Sequence, residues 1–201
     1  MLLELFCGTG SVRKVATALG YRVVSVDVNQ RWRPDICLGV QELDAARLER
    51  EFGKFDVVWA SPDCSQYSCV WNCMPGLERN VARSNEVVKK TLSLIEHLSP
   101  KFWFLENPAT GKLREQSFMR FLPYKDCCYC MYDESRPMRK QTRIWGSGVR
   151  AWRNPLMCTV YSSKRTEESE SRRLRQKLGA TCSYYRQHGK HHLTVGRYIK
   201  N

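Results

Sequence analysis

The segment Trp59-Ala60-Ser61-Pro62-Asp63-Cys64-Ser65-Gln66-Tyr67-Ser68 places a thiol just past the apolar run Phe55-Asp56-Val57-Val58-Trp59. Two other segments share this arrangement. Leu3-Glu4-Leu5-Phe6-Cys7-Gly8-Thr9-Gly10 runs from an apolar stretch into a glycine turn, and Phe102-Trp103-Phe104-Leu105 ends on the carboxylic acid of Glu106. Each reads as a strand whose carboxyl end carries a group able to do chemistry, which is where open α/β sheets hold ligands. A thiol and an acid on one rim make a nucleophile and a proton donor. A Cys after a buried strand is usually an inert packing residue, but Pro62 and the polar Ser65, Gln66 and Ser68 argue for a site. An acid closing an apolar strand argues the same way, against a mere cap of the following turn.

The glycine turn has its own chemistry. Gly8 and Gly10 let the backbone approach a ligand, and a helix starting near Ser11 adds its partial positive end. Asp27, closing the second apolar strand, can accept both hydroxyls of a ribose. The turn lacks the longer Gly-x-Gly-x-x-Gly of dinucleotide folds and the Lys of a phosphate-binding loop, so an adenosine ligand without phosphates fits better than NAD or ATP. Tight strand-to-helix turns also use two glycines without binding anything, so Asp27 carries much of this reading.

These groups need a scaffold. Met1 to Phe6 reads as a strand, Ser11 to Leu19 as an amphipathic helix stopped by Gly20, and Tyr21 to Val28 as a second strand. Pro34 to Val40 reads as a short third strand, Leu43 to Phe52 as a charged helix and Phe55 to Ala60 as a fourth strand buried on both faces. Arg83 to Leu98, with Val87, Val88, Leu92, Leu94, Ile95 and Leu98 apolar, is a crossover helix halted by Pro100. Phe102 to Leu105 is the fifth strand. Strand and helix alternate, which predicts an α/β domain of Rossmann-like form, its sheet mostly parallel with helices on both faces. Neighbouring parallel strands then present Cys64 and Glu106 on one rim.

Length and composition allow one domain, with 201 residues and 42% hydrophobic composition. No run approaches the ~18 apolar residues of a membrane span, and Met1-Leu2-Leu3-Glu4 does not read as a secretion signal. The ten cysteines therefore read as reduced thiols of a soluble, intracellular protein in the cytoplasm or nucleus, not a disulfide scaffold. Charge is uneven. Residues 1 to 138 hold 18 Lys and Arg against 17 Asp and Glu, whereas residues 139 to 201 hold 15 against 3. Aromatic residues (Trp145, Trp152, Tyr161, Tyr184, Tyr185, Tyr198) are spread through this basic third, so phosphates can meet cations while unpaired bases stack. The bland alternative is a solvated basic tail. Nucleic acid is the expected partner.

Phe6-Cys7-Gly8-Thr9-Gly10, Asp27, Ser61-Pro62-Asp63-Cys64-Ser65-Gln66-Tyr67-Ser68, Glu106-Asn107-Pro108 and Gln141-Thr142-Arg143 occur in an order and spacing that resembles the C5-cytosine DNA methyltransferases. The resemblance spans residues 1 to 146 and looks closest to the compact versions seen in phages and large viruses. It implies that Phe6, Cys7, Gly8, Thr9, Gly10 and Ser11 line S-adenosylmethionine, with Asp27 on its ribose and Val28 against its adenine. It implies that Cys64 is the nucleophile and that Glu106 and Arg143 hold the base. Carbon 5 of cytosine is a poor nucleophile, so a thiolate must first add at carbon 6. Glu106 would then protonate ring nitrogen 3. Arg143 would hold the ring carbonyl and favour the Cys64 thiolate; without the family pattern it could as well contact phosphate. The target base must swing out of its stack or arrive single-stranded. Gln66, Ser68, Arg139, Lys140, Gln141, Arg172, Arg173 and Arg175 are the expected DNA contacts. Residues 147 to 201 read as a basic extension of the catalytic domain, and the enzyme is expected to be a monomer.

Departures from the family pattern bear on activity. Most relatives have Pro where this chain has Asp63, and a carboxylate beside a thiol tends to slow attack. The family's adenine-binding acid has no clear match, since Asp35 comes early and the later position reads Gly39-Val40. Trp145 stands where larger relatives often carry a second Arg. The 56 residues after it are few for a target-recognition domain, so short or loose sequence specificity is expected. Cys127, Cys128 and Cys130 cluster, and Cys158, Cys182, His188, His191 and His192 could complete a zinc site. Cys69 and Cys73 lie on a loop expected to cover the target base. Thiols and surface histidines explain the same residues, and no metal is assigned. Besides the DNA methyltransferase reading, two others stand: a nucleic-acid-binding protein of the same fold without turnover, and a methyltransferase acting on RNA or an exocyclic amine. A Cys in place of the aromatic residue that follows Asp/Asn/Ser-Pro-Pro in amino-directed enzymes disfavours the amine.

Overall fold

The computed structural model describes residues 1–68, 79–132 and 140–157. Its strands are β1 (Leu2–Leu5), β2 (Val23–Val26), β3 (Val57–Ala60), β4 (Phe102–Pro108), β5 (Tyr124–Cys128) and β6 (Gln141–Trp145), in one sheet of order β2-β1-β3-β4-β6-β5. The first four run parallel, with β6 antiparallel to both β4 and β5. Each short helix is bounded by residues that suit its ends. α1 (Ser11–Ala18) is followed by Leu19 and then by Gly20 at φ 84°, a left-handed stop. Asp44 caps α2 (Ala45–Phe52) by accepting from the Ala46 N–H, and Gly53 ends it. Asn80 caps α3 (Val81–Leu98) through the Arg83 N–H.

Alternation along the strands sorts the side chains onto two faces. Leu3, Leu5, Val24, Val26, Val58, Ala60, Leu105 and Trp145 pack with Leu48 of α2 and Val88, Leu94, Ile95 and Leu98 of α3. The opposite face carries a smaller cluster of Cys127, Ile144 and Val149 with Trp59, Phe104, Tyr129 and Trp152. At the other end of that face lies α1, lining with Leu2, Val57 and Trp59 an apolar groove. The expected α/β architecture, mostly parallel with helices on both faces, is the one observed.

The third strand is not. Only one parallel bridge, Val26 to Ile36, forms where Pro34 to Val40 was expected to pair. Pro34 brings no N–H, and Asp35 substitutes a side chain for strand: its Oδ2 accepts from both the Ser25 N–H at 2.8 Å and the Ser25 hydroxyl at 2.7 Å. Past β6 the chain stays on the same body. A short turn at Ser147–Arg150 packs on β4, where the Ser147 hydroxyl accepts from the Trp103 N–H. Gly146 there, at φ 145°, passes so close to the Trp103 carbonyl that any Cβ would collide with it. Among the described residues no helix is long and apolar enough to cross a membrane.

Candidate active site

The glycine turn at the end of β1 is held in a conformation side chains resist. Gly8 and Gly10 have φ of 50° and 70°, and Phe6 itself sits at 59°, which costs a non-glycine residue about 1–2 kcal/mol. Asp27, buried at the end of β2, keeps the turn in place. Its Oδ2 accepts from the Gly8 N–H and its Oδ1 from the Asn29 N–H, both at 2.9 Å. One lone pair on each oxygen remains for a ligand. The start of α1 is already met internally, because buried Glu4 on β1 accepts from the Arg13 N–H at 3.1 Å. Desolvation, opposed by those helix N–H groups, raises the Glu4 carboxyl above its ordinary value. Arg13 donates to the Ser25 hydroxyl and lies 3.9 Å from Asp35, so Asp35 braces α1 on β2. Val28 is exposed beside this turn, and Ser11 approaches Thr9 through their hydroxyls at 3.2 Å. A strained backbone turn, a buried carboxylate with acceptor capacity and an exposed apolar side chain fit the adenosine portion of S-adenosylmethionine. Cys7 is buried, and that burial pushes its thiol up to about 11, so it lines the turn without being a nucleophile.

Cys64 lies beyond β3 in a turn built by its neighbours. Asp63 accepts from both the Ser65 N–H and the Ser65 hydroxyl, forming an Asx turn that leads into a short helix at Ser65–Tyr67. The extra carboxylate is thereby spent on holding the loop. Tyr67 is fully buried, and its hydroxyl donates to Asn85 of α3 at 2.8 Å. Asn85 in turn donates to Gln116. The loop is tied to β4 by Asn107, whose Nδ2 donates to the Pro62 carbonyl at 3.0 Å. Parallel pairing of β3 with β4 runs through Ala60 opposite Leu105, so Cys64 and Glu106 leave the same sheet edge. Asn107 is itself fully buried, and its Oδ1 has no partner among the described residues.

Glu106 projects from β4 on the face of Trp59 and Phe104, where its side chain is only 12% exposed. Its Oε1 receives the Tyr129 hydroxyl at 3.4 Å and lies 3.4 Å from the Lys140 ammonium. That ammonium also sits over the Tyr129 ring, 4.8 Å from its centroid. Burial, and then the Glu106 charge, push the Tyr129 phenol far above its ordinary value, so it stays a donor.

Arg143 does not join Glu106. Glu106 pairs with Ile144 across β4 and β6, which puts Arg143, one residue earlier, on the other face. There it makes two bonds to Asp126, Nε to Oδ1 at 2.7 Å and a terminal nitrogen to Oδ2 at 2.8 Å. Its guanidinium also stacks 3.7 Å from the Tyr124 ring centroid. The expectation that Arg143 and Glu106 grip one ring is thus corrected by strand parity. Trp145, on the same face as Arg143, is buried in the main core, which is why no second Arg can stand there.

Several expected DNA contacts hold the fold together. Gln66 accepts from the Asn80 N–H at 2.8 Å, and the Ser68 carbonyl accepts from Arg79 at 3.0 Å. Gln141 opens β6 opposite Cys128. Lys140 turns onto Glu106 as described above. Arg139, Arg172, Arg173 and Arg175 lie outside the described residues, as do Cys69, Cys73, Cys158, Cys182, His188, His191 and His192. Cys127 and Cys130 have Cys-x-x-Cys spacing, yet no group of three His, Cys, Asp or Glu side chains is placed to hold a metal among the described residues. Asn107 and Tyr129 stand in the segments that carry the family resemblance, but their contacts, and the placement of Lys140 beside Glu106, are visible only in the structure.

Comparison with known proteins bears on what such a site belongs to. No family model matches the chain. In fold, it resembles a crystal structure assigned as a DNA modification methyltransferase encoded within a prophage (E. coli), at TM-score 0.55 and 17% identity over 72% of this chain. The chain spans 45% of that structure's length. In sequence, it is 32% identical over 154 residues to a protein of Frog virus 3 (isolate Goorha) described as "Probable DNA (cytosine-5)-methyltransferase", covering 72% of this chain and 69% of the relative. That extent of identity, on a sheet that brings a loop cysteine and a strand-end glutamate to one edge, makes the chain a member of the DNA (cytosine-5)-methyltransferase family.

Proposed function

We propose that the protein transfers the methyl group of S-adenosylmethionine to carbon 5 of cytosine in DNA through a covalent adduct of Cys64 at carbon 6. The observation that carries this is the Asn107 to Pro62 hydrogen bond, which fastens the Cys64 loop to the strand bearing Glu106. Cys64 supplies the sulfur that adds to the ring. Glu106 hydrogen-bonds the ring edge and delivers a proton to nitrogen 3 as electrons move there. Once carbon 5 carries the methyl group, its hydrogen leaves as a proton to a base. The electrons of that bond restore the ring double bond as the Cys64 sulfur departs from carbon 6, and nitrogen 3 returns its proton. Phe6, Cys7, Gly8, Thr9, Gly10 and Ser11 would hold the methyl donor, with Asp27 toward its ribose and Val28 toward its adenine. Bound there, S-adenosylmethionine supplies an electrophilic methyl carbon. None of this chemistry reaches a base inside a duplex, so the cytosine is taken extruded or single-stranded. The Asx turn weighs against a binding-only protein, because Asp63 faces Ser65 with both oxygens. The basic stretch 139 to 201 supplies the sequence-independent grip on phosphates.

The test is product analysis with labelled methyl donor. The expected product is 5-methylcytosine in DNA, absent with Cys64→Ser while donor binding persists. Label found on RNA alone or on the exocyclic amine, or transfer surviving Cys64→Ser, would overturn the reading.

A further inference from the structure

Arg143 is locked on one face of the sheet, and the cation that faces Glu106 comes from three residues earlier. We propose that Lys140, with Tyr129 and Thr142 beside it, is the group that holds the carbonyl of the target pyrimidine next to Glu106. The inference rests on the methyltransferase reading above and names the partner of Glu106 within it.

Three observations converge. The first is parity. Thr142 and Ile144 face the Glu106 side of β6, and Lys140 precedes that strand in the same alternation, its carbonyl accepting from the Tyr129 N–H. The second is contact, the Lys140 ammonium standing 3.4 Å from Glu106 Oε1 and 4.8 Å from the Tyr129 ring centroid. The third is burial. The Thr142 side chain is fully buried on this face, with its hydroxyl against the Tyr129 phenol. The groups around the Glu106 oxygen therefore stand in a polar, largely water-excluded setting where charge interactions are strengthened.

The chemistry suits a lysine. When sulfur bonds to carbon 6, electron density shifts toward nitrogen 3 and the adjacent carbonyl oxygen. An ammonium already placed beside Glu106 and over an aromatic face stabilises that charge without rearranging. Arg143 offers no such help, since it lies on the opposite face, bonded twice to Asp126.

The test uses the full chain, DNA and S-adenosylmethionine, with kcat, KM for DNA and donor affinity measured separately. Lys140→Met should lower kcat on the order of 100-fold, with KM for DNA and donor affinity within about twofold of wild type. Lys140→Arg should recover most of the loss. Lys140→Gln, one bond shorter and uncharged but still a hydrogen-bond donor, should match the methionine variant and serves if that one folds poorly. Unchanged kcat with raised KM and a salt slope shallower by about one would make Lys140 a phosphate contact and overturn the proposal. Failure of the underlying reading is distinguishable, because Cys64→Ser would then retain transfer in a chain whose Lys140 is intact.

Discussion

The two faces of the sheet, compared where β4 meets β6, divide the work of the molecule. On one side Asn107, Arg143 and Trp145 share a face with Asp126 and Tyr124, and Asn107 and Arg143 are bonded to Pro62 and Asp126. On the other, Glu106, Lys140, Tyr129 and Thr142 form a partly open set held by 3.4 Å contacts. Short bidentate bonds and core burial mark a brace, whereas longer contacts around the partly exposed Glu106 side chain are what the proposed base site would need. Residues one apart on a strand can therefore differ entirely in role.

Substitutions on the two faces should separate accordingly. The largest effect is expected from Glu106→Gln, which should cut transfer by about 100-fold or more while thermal unfolding stays close to wild type. A melting temperature that falls with the activity would make Glu106 structural. Arg143→Met should do the reverse, costing about 2 kcal/mol in urea unfolding by stranding Asp126, with kcat of the folded enzyme largely kept. A folded Arg143→Met enzyme with kcat down 100-fold would return Arg143 to the pocket. Asn107→Ala should cost about 1–2 kcal/mol for the Pro62 bond and also slow transfer, because it frees the Cys64 loop; a stability loss with unaltered kcat would show that the loop is placed by other contacts.

The smallest effect belongs to the far edge of the sheet. Hydrogen bonding to Lys101, and then to the amino terminus, hold Asp56 down to about 2. A carboxylate lowered in the fold stabilises at pH above its unfolded value near 4, and that contribution disappears as pH falls toward 2. Asp56→Asn should therefore narrow the acid side of the stability curve and leave neutral activity alone. An unchanged acid transition would remove this clamp from the account.

Much of the scaffold was readable because its strands are short apolar runs punctuated by glycine, Asp or Pro, and because Gly20 and Pro100 mark helix ends. The third strand failed because a side chain took over a backbone partner: nothing in the spacing of Asp35 announces that its carboxylate will occupy the Ser25 N–H. Placing Arg143 beside Glu106 followed a motif where strand parity gives a better signal. Trp145 is a large apolar side chain bound for the core, and a residue two positions before it shares its face. By the same count Lys140 and Thr142 belong with Glu106. Asn107 stood in the quoted motif unassigned, because an amide that ties two loops together is visible only once both loops are placed.

One measurement bears on the central claim more directly than any variant. DNA carrying 5-fluorocytosine cannot lose fluorine from carbon 5 as it would lose a proton, so an enzyme that adds a thiol at carbon 6 and then methylates should remain bonded to it. Incubation with S-adenosylmethionine, followed by peptide mapping of the denatured complex, should place the nucleotide on Cys64. No adduct, or an adduct on a different cysteine, would contradict the account.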